Sequence, residues 1–249
     1  MTAGLVVITR PLVDAMPLVD PLIRHGFPSL IEPLLEIVIV PPPQGVDRAN
    51  VQAVLITSSN GVRAFAAGFD WRDRPAFTVG TGSAASARDA GFERVESADG
   101  TVEDLAALVA RRCDPGAGTL LHVAGSVVAG DLSGRLATTG FHVKRLVLYD
   151  ARLATALSVG VREALVGGRV AAVLFFSPRT ARTFVRLATA AAVAPACCAV
   201  SALCLSPAVA EVLGAIPWRD VRVAARPNRA ALLALLGIPA EALSADQNP

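Results

Sequence analysis

Short apolar runs alternate along the chain with longer segments in which apolar residues return every three or four positions. Runs such as VLI at 54–56, LLHV at 120–123 and VLFF at 173–176 have the length and branching of strands buried on both faces. The segments after them open on Ser, Thr or Gly and carry a helical period. Strand and helix signals that alternate in this way predict an α/β fold with parallel sheets and right-handed crossovers.

The pattern also repeats. VLITSSNGVRAF (54–65) returns as VLFFSPRTARTF (173–184), GTGSAASARDAG (80–91) as SPAVAEVLGA (206–215), and TVEDLAALV (101–109) as NRAALLALL (228–236). A second unit, LVVITRPLVDAMPLVDPLIRHGFPSLIEPLL from Leu5, resembles LLHVAGSVVAGDLSGRLATTGFHVKRLVLYD from Leu120. Each copy of that unit is a strand, a helix, a Gly-Phe stop and a strand. The chain therefore reads as two copies of a strand-helix-strand unit alternating with two copies of a three-fold strand-helix unit, the signature of a duplicated domain.

Connection lengths decide which copies fold together. Only the short Cys113–Gly118 segment separates the helix ending near Arg112 from the strand beginning near Thr119, so these belong to one domain. By contrast Leu34–Val40 is extended and apolar and runs into Pro41, Pro42 and Pro43, a stiff spacer without backbone donors. The expectation is a discontinuous first domain, 1–33 with 153–249, and a second domain, 42–145. Segments 34–41 and 146–152 would cross between them as a paired two-stranded linker.

Much of the punctuation is structural. Thr101 with Asp104 forms a capping-box pattern, Arg111 and Arg112 suit a helix C-terminus, and Gly26, Gly91 and Gly140 stand where helices should stop. Composition removes several function classes. A net charge of +2 with no basic run interleaved with aromatics argues against nucleic-acid binding. The cysteines Cys113, Cys197, Cys198 and Cys204 show no metal-ligand spacing, and Cys197 and Cys198 are expected in an apolar strand of a reduced, cytoplasmic protein. No metal site is expected from His25, His122 and His142, and His122, inside a strand, is expected to be a satisfied core imidazole. Residues 187–210 carry no charge, but Pro195 and Pro207 interrupt them, so they are read as a helix end, a loop and a buried strand rather than a membrane span. MTAGLVVITRP lacks the plan of a secretion signal.

In a parallel sheet, ligands gather at the carboxyl ends of the strands. Those ends here are Thr9-Arg10, Ser58-Ser59-Asn60-Gly61, Gly80-Thr81-Gly82-Ser83, Ala124-Gly125-Ser126, Ser177-Pro178-Arg179-Thr180 and Ser206-Pro207. Such small, hydroxylic turns expose the first N–H groups of the next helix to anions. Gly80-Thr81-Gly82 lacks the third glycine and the later acidic residue of a dinucleotide loop, and no phosphate loop, nucleophile elbow or carboxylate pair stands out. A site built from backbone amides, hydroxyls and a few arginines is what remains.

At these residues the chain resembles the uroporphyrinogen-III synthase family. The likeness covers nearly the whole length, through TRP, TSSNGVRAF, VGTGSAASARDAGF, the Gly after LLHVA, the tyrosine of LVLYDA, FFSPRTARTF and LSPAVAEVL, in that order. It implies two flavodoxin-like α/β domains joined by a two-stranded linker, and closure of the linear hydroxymethylbilane to uroporphyrinogen III with inversion of ring D through a spiro intermediate. It implies Tyr149 as catalytic residue, with Arg10, Ser58, Asn60, Gly61, Ser83, Gly125, Ser177, Arg179 and Ser206 binding the polycarboxylate substrate. The implied protein is a cofactor-independent cytoplasmic monomer, not bound to membranes, in transient contact with the preceding hydroxymethylbilane synthase. Ser59 departs from the family's common proline, Ser83 from its frequent threonine, and Ala208-Val209 from positions that can carry hydroxyls. Tyr149 comes after the extended run Leu146-Val147-Leu148, which leaves its phenol facing either the expected cleft or the linker. A non-catalytic tetrapyrrole-binding regulatory domain is the alternative reading, disfavoured by the short tail after the last helix; a periplasmic binding protein is disfavoured by the missing signal.

Overall fold

The computed structural model describes residues 4–127 and 130–239. Along the chain come β1 (Leu5–Ile8), α1 (Leu12–Arg24), β2 (Ser29–Ile31), β3 (Leu35–Ile39), β4 (Val51–Ile56), α2 (Ser59–Gly68) and β5 (Ala76–Thr78). Then come α3 (Thr81–Asp89), β6 (Val95–Ser97), α4 (Val102–Arg112), β7 (Thr119–Gly125), α5 (Leu132–Ala137) and β8 (Val143–Leu153). The remainder is α6 (Val159–Val166), β9 (Val170–Phe175), α7 (Pro178–Ala190), β10 (Ser201–Cys204), α8 (Pro207–Ala210), β11 (Asp220–Val223) and α9 (Arg229–Ala234).

The chain divides into two compact units: unit one is everything up to Glu36 together with everything from Arg152 onward, and unit two is Ile37–Ala151. The first sheet has the order β11-β10-β9-β1-β2, and its strands pair in parallel. The second has the order β3-β8-β7-β4-β5-β6, parallel from β8 to β6. Matching β9, β10, β11, β1 and β2 to β4, β5, β6, β7 and β8 gives the same strand order in both sheets. The edge strand β3 lies beside β8, with Val40 N–H donating to Leu148 O at 2.8 Å and Ala154 N–H to Leu34 O at 3.2 Å. The first residue number rises as its partner's falls, so β3 runs antiparallel to β8.

Both sheets are covered by helices on both faces, because alternate strand residues are apolar in both directions. In unit one Val7, Val173 and Phe175 join the cluster containing α7's Phe184, while Val6, Ile8, Ala172 and Leu174 join α1's Leu18 and Leu22 and α9's Leu232. In unit two Val54, Ile56 and Val123 pack with α2's Phe65, and Ala53, Leu55 and Leu120 with Leu105 of α4 and Leu132 of α5. Phe65 and Phe184, at matching places of the repeated run, are both fully buried. Burying each ring stabilises its unit by roughly 2–3 kcal/mol.

Helix ends obey local chemistry. Thr101 Oγ1 accepts from Asp104 N–H while the Asp104 carboxylate accepts from Thr101 N–H at 2.7 Å, a complete capping box. Beyond the helices α1 and α5, Gly26 and Gly140 have φ of +80° and +86°, a region that costs a side-chain-bearing residue energy. Two expectations need correction. Cys197 and Cys198 lie not in a strand but in a 3₁₀ turn, Ala194–Ala199, whose second residue, Pro195, has no N–H for a sheet ladder. Cys197 is buried there and Cys198 exposed. His122 is a core residue at 3% exposure, but it is not fully satisfied: its Nδ1 lies 3.4 Å from Ser133 Oγ, and its buried Nε2 has no partner.

Candidate functional site

The strand ends of unit two bring four of the sequence-predicted positions together. After β4, Ser58 is extended (φ −156°, ψ 155°) and its Oγ accepts the Gly61 N–H at 3.2 Å, capping α2. A Cβ on Gly61 would stand 3.1 Å from Ile56 Cγ2 and 3.4 Å from Val123 Cγ1, so glycine lets the first turn of α2 settle onto the strand tips. The second partner of Ser58 Oγ is the Tyr149 hydroxyl, 3.0 Å away and 91 residues distant in sequence. Gly125 completes the group: a Cβ there would lie 2.7 Å from Tyr149 Cε2 and 3.0 Å from Cζ. No side chain fits between that backbone and the ring.

An irregularity in β8 aims the tyrosine. Val123 pairs with Leu146 and Ala124 with Val147, but Gly125 pairs with Tyr149, so one extra residue enters β8. Strict alternation would turn Tyr149 outward like Val147; instead Leu148 and Tyr149 are both buried, at 0% and 9% exposure. The phenol thus sits at the tip of β4, beside Ser58. The bulge is pinned on its other side. Ser126 N–H donates to Tyr149 O at 3.0 Å, Ser126 Oγ donates to Asp150 Oδ1 at 2.5 Å, and Arg145 Nη2 reaches Gly125 O at 2.8 Å and Ser126 O at 3.1 Å. Sequence reasoning places Ser126 at a strand end without singling it out, and it leaves Arg145 and Asp150 unmarked. Nothing local flags them, since their partners depend on the register of β7 with β8.

The remaining unit-two positions flank this group. Asn60 Oδ1 accepts from Arg63, tying it to its own helix. Ser83 lies in the first turn of α3, its N–H bonded to Gly80 O at 3.1 Å. Ser86, which the sequence did not mark, sits 2.9 Å from Ser59 Oγ and 3.0 Å from Gly82 O, joining the starts of α2 and α3.

Arg10, Ser177, Arg179 and Ser206 belong to unit one. Thr9 is buried, its hydroxyl donating to Leu174 O at 2.7 Å, and Arg10 then lies over the Phe176 ring at 4.9 Å and 3.5 Å from Asp14. Ser177 Oγ caps α7 by accepting Thr180 N–H at 3.2 Å and lies 3.0 Å from Thr180 Oγ1. Arg179 falls in the first turn of that helix, and its carbonyl accepts from Thr183 Oγ1 at 2.9 Å. Ser206 opens α8 through its carbonyl, 3.1 Å from Val209 N, with no side-chain cap bond.

Burial keeps one imidazole and three thiols neutral. Burial, and then the Arg145 charge, push His122 down to about 4, while burial pushes the Cys113, Cys197 and Cys204 thiols up to about 11. Thiols of that kind are poor nucleophiles at neutral pH. Among the described residues no three His, Cys, Asp or Glu side chains are grouped to hold a metal ion, and no helix is long and apolar enough to cross a membrane.

A family model described as Uroporphyrinogen-III synthase HemD matches residues 17–234. Among solved structures, the chain is similar to uroporphyrinogen-III synthetase from Helicobacter pylori, at 18% identity and a TM-score of 0.61, covering 95% of this chain and 98% of that one. It is also similar to a mutant uroporphyrinogen III synthase from Thermus thermophilus, at 22% identity and a TM-score of 0.55, covering 98% and 100%. These two likenesses are of fold. No curated protein matches. The family match spans most of the chain, and the chain belongs to the uroporphyrinogen-III synthase family.

Proposed function

We propose that this chain, as a cyclising lyase of that family, closes hydroxymethylbilane to uroporphyrinogen III, with Tyr149 as general acid. The observation that carries the assignment of the acid is the phenol held at 3.0 Å from Ser58 Oγ, at the carboxyl ends of the unit-two strands. The phenol protonates the terminal hydroxyl of the bilane, water leaves, and the resulting azafulvene is attacked from the substituted position of ring D. The spiro intermediate then fragments and recloses with that ring inverted. Spontaneous closure gives the symmetric isomer, so the protein's main task is to hold the conformer that leads to inversion.

The substrate's carboxylates are taken by Arg10 and Arg179 and by N–H groups at the strand-end turns carrying Asn60, Gly61, Ser83, Gly125, Ser177 and Ser206. Ser58, 3.0 Å from the phenol and 3.2 Å from the Gly61 N–H, stands at the edge of this site beside the acid. The proposal extends to a cytoplasmic monomer that receives the labile bilane directly from hydroxymethylbilane synthase. Analytical ultracentrifugation with and without that enzyme tests this part.

The deciding experiment supplies freshly prepared hydroxymethylbilane, oxidises the product and separates the porphyrin isomers. Isomer III above the spontaneous background is the expected result. Isomer I at the uncatalysed rate overturns the proposal.

A further inference from the structure

The geometry points to Ser58 as the positioning residue of Tyr149: we propose that the serine hydroxyl donates to the phenol oxygen, leaving the phenol's own proton for the substrate. This rests on Tyr149 being the acid and adds which way the hydrogen bond runs.

The direction comes from counting protons. A serine hydroxyl has one proton and two acceptor sites. The Gly61 N–H, 3.2 Å from Ser58 Oγ, can only donate, so the serine oxygen is the acceptor there. Among the described residues the other partner of that oxygen is the Tyr149 hydroxyl. If the phenol donated, its proton would be committed to Ser58 and the serine proton would need an acceptor elsewhere. If Ser58 donates, each proton has a use. Accepting the amide bond also polarises the serine O–H and makes it a stronger donor. The arrangement suits the charge that develops, because the phenol becomes a phenolate as it gives up its proton. Ser58 O–H and the positive end of the 10-residue α2 both favour that anion.

The proton inventory closes over the turnover. The phenol O–H breaks and its proton joins the hydroxymethyl oxygen; the C–O bond breaks, water departs, and the pyrrole nitrogen's electron pair leaves a positively charged azafulvenium beside the phenolate. The spiro closure joins a ring carbon that carries no hydrogen, so the positive charge passes through fragmentation; after the final closure the newly bonded ring D carbon loses its proton as aromaticity returns, and the phenolate takes it up. One water leaves, and Tyr149 is again neutral with Ser58 still donating.

The chain contains one tyrosine, so its tyrosine Raman doublet reports this phenol alone. The intensity ratio of that doublet separates a phenol that accepts from one that donates. Wild type is expected to show the accepting form. Ser58→Asp keeps a side-chain acceptor for the α2 cap but has no proton to give, and Ser58→Thr keeps both functions. Ser58→Asp should lose the accepting signature and about 10-fold in kcat with KM nearly unchanged, while Ser58→Thr should stay within about 3-fold of wild type. A donating phenol in wild type, or Ser58→Asp with unaltered doublet and kcat, overturns the proposal. Tyr149→Phe assayed alongside keeps the two readings apart. Full turnover in that variant sinks the acid assignment whatever the Raman signal shows, whereas a loss there with none in Ser58→Asp sinks the positioning role alone.

Discussion

Ser58 and Ser177 stand at the same place in two repeated runs and adopt nearly the same backbone, φ and ψ of −156° and 155° against −151° and 152°. Both cap the next helix with Oγ 3.2 Å from an N–H three residues on. They differ in the second partner. Ser177 meets Thr180, a neighbour in its own turn, while Ser58 meets Tyr149 from another strand. The contrast extends to the adjacent strand tip. Unit one ends β1 with buried Thr9 and then Arg10, whereas unit two ends β7 with Ala124 and Gly125, clearing the space that the tyrosine ring fills. One scaffold therefore carries two kinds of tip. In unit one Ser177 is satisfied within its own turn, and Arg10 is held by Asp14 and the Phe176 ring. In unit two a glycine and a bulge admit a long-range phenol, the group proposed above to move the proton.

The comparison breaks at once if the phenol does nothing. Tyr149→Phe keeps the ring packed against Gly125 and removes the hydroxyl, so stability should change by less than about 1 kcal/mol, the scale of one hydrogen bond. Turnover should fall about 100-fold, the low end for loss of a general acid and about 3 kcal/mol of barrier. Steady-state rates of isomer III formation, with a urea melt as control, decide it. An unchanged rate would leave the two tips chemically equivalent, and conformational steering as the source of catalysis.

The two tips also show what a sequence discloses. Ser58, Thr101 and Ser177 were legible as helix starts because a cap bond reaches only three residues ahead. The parallel sheets were legible because strands buried on both faces need continuous apolar runs. The Ser58–Tyr149 bond was not, because it needs β7 to separate β4 from β8 and an extra residue in β8 to turn the ring. Arg145 and Asp150 escaped for the same reason. The 3₁₀ turn at Cys197 and Cys198 looked like a strand because apolar composition alone does not separate a buried strand from a buried turn. Pro195 was the available signal.

A second difference lies one layer below the tips. Counting from Leu5 and Leu120, the starts of the two resembling segments, unit two has His122 where unit one has fully buried Val7. An imidazole in an unfolded chain titrates near 6.5 and this one near 4, so between those values the unfolded state binds the extra proton. Stability from this site is complete above about pH 7 and is lost as pH falls through that window, by about 2 kcal/mol at pH 5. Asp104, held below the ordinary Asp range by the Thr101 N–H and hydroxyl, responds only at lower pH, and the His122→Val variant identifies the imidazole's share of the interval from 7 to 5. Urea midpoints at the two pH values should converge in His122→Val, which gives unit two the residue of unit one. An equal acid loss in that variant would mean that another group titrates.

Gly125→Ala tests the space rather than the proton. The added methyl would have to displace the Tyr149 ring, since it would sit 2.7 Å from Cε2, and the bond from Ser126 N–H to Tyr149 O resists movement of that backbone. Overpacking of this kind should destabilise by about 1–2 kcal/mol and lower kcat about 10-fold by moving the phenol off Ser58. Restoration of the rate in the double variant with Tyr149→Phe, relative to Tyr149→Phe alone, should not occur, because the hydroxyl is already gone.

The smallest expected effect sharpens the comparison most directly. Ser177→Ala removes a cap from α7, as Ser58→Ala does from α2, and each should cost about 1 kcal/mol in a urea melt, since both bonds have the same length and backbone setting. Their kinetics should differ. Among the described residues Ser177 bonds within its own turn, so its loss loosens the N–H groups proposed to hold a substrate carboxylate and should raise KM with kcat little altered. Ser58→Ala should lower kcat at nearly constant KM, because its second bond is to the phenol that moves the proton. Matching stability losses with opposite kinetic signatures would show that the two caps differ only in the partner beyond the helix. The same KM effect in both variants would mean that the phenol bond adds nothing and that both serines act as caps alone.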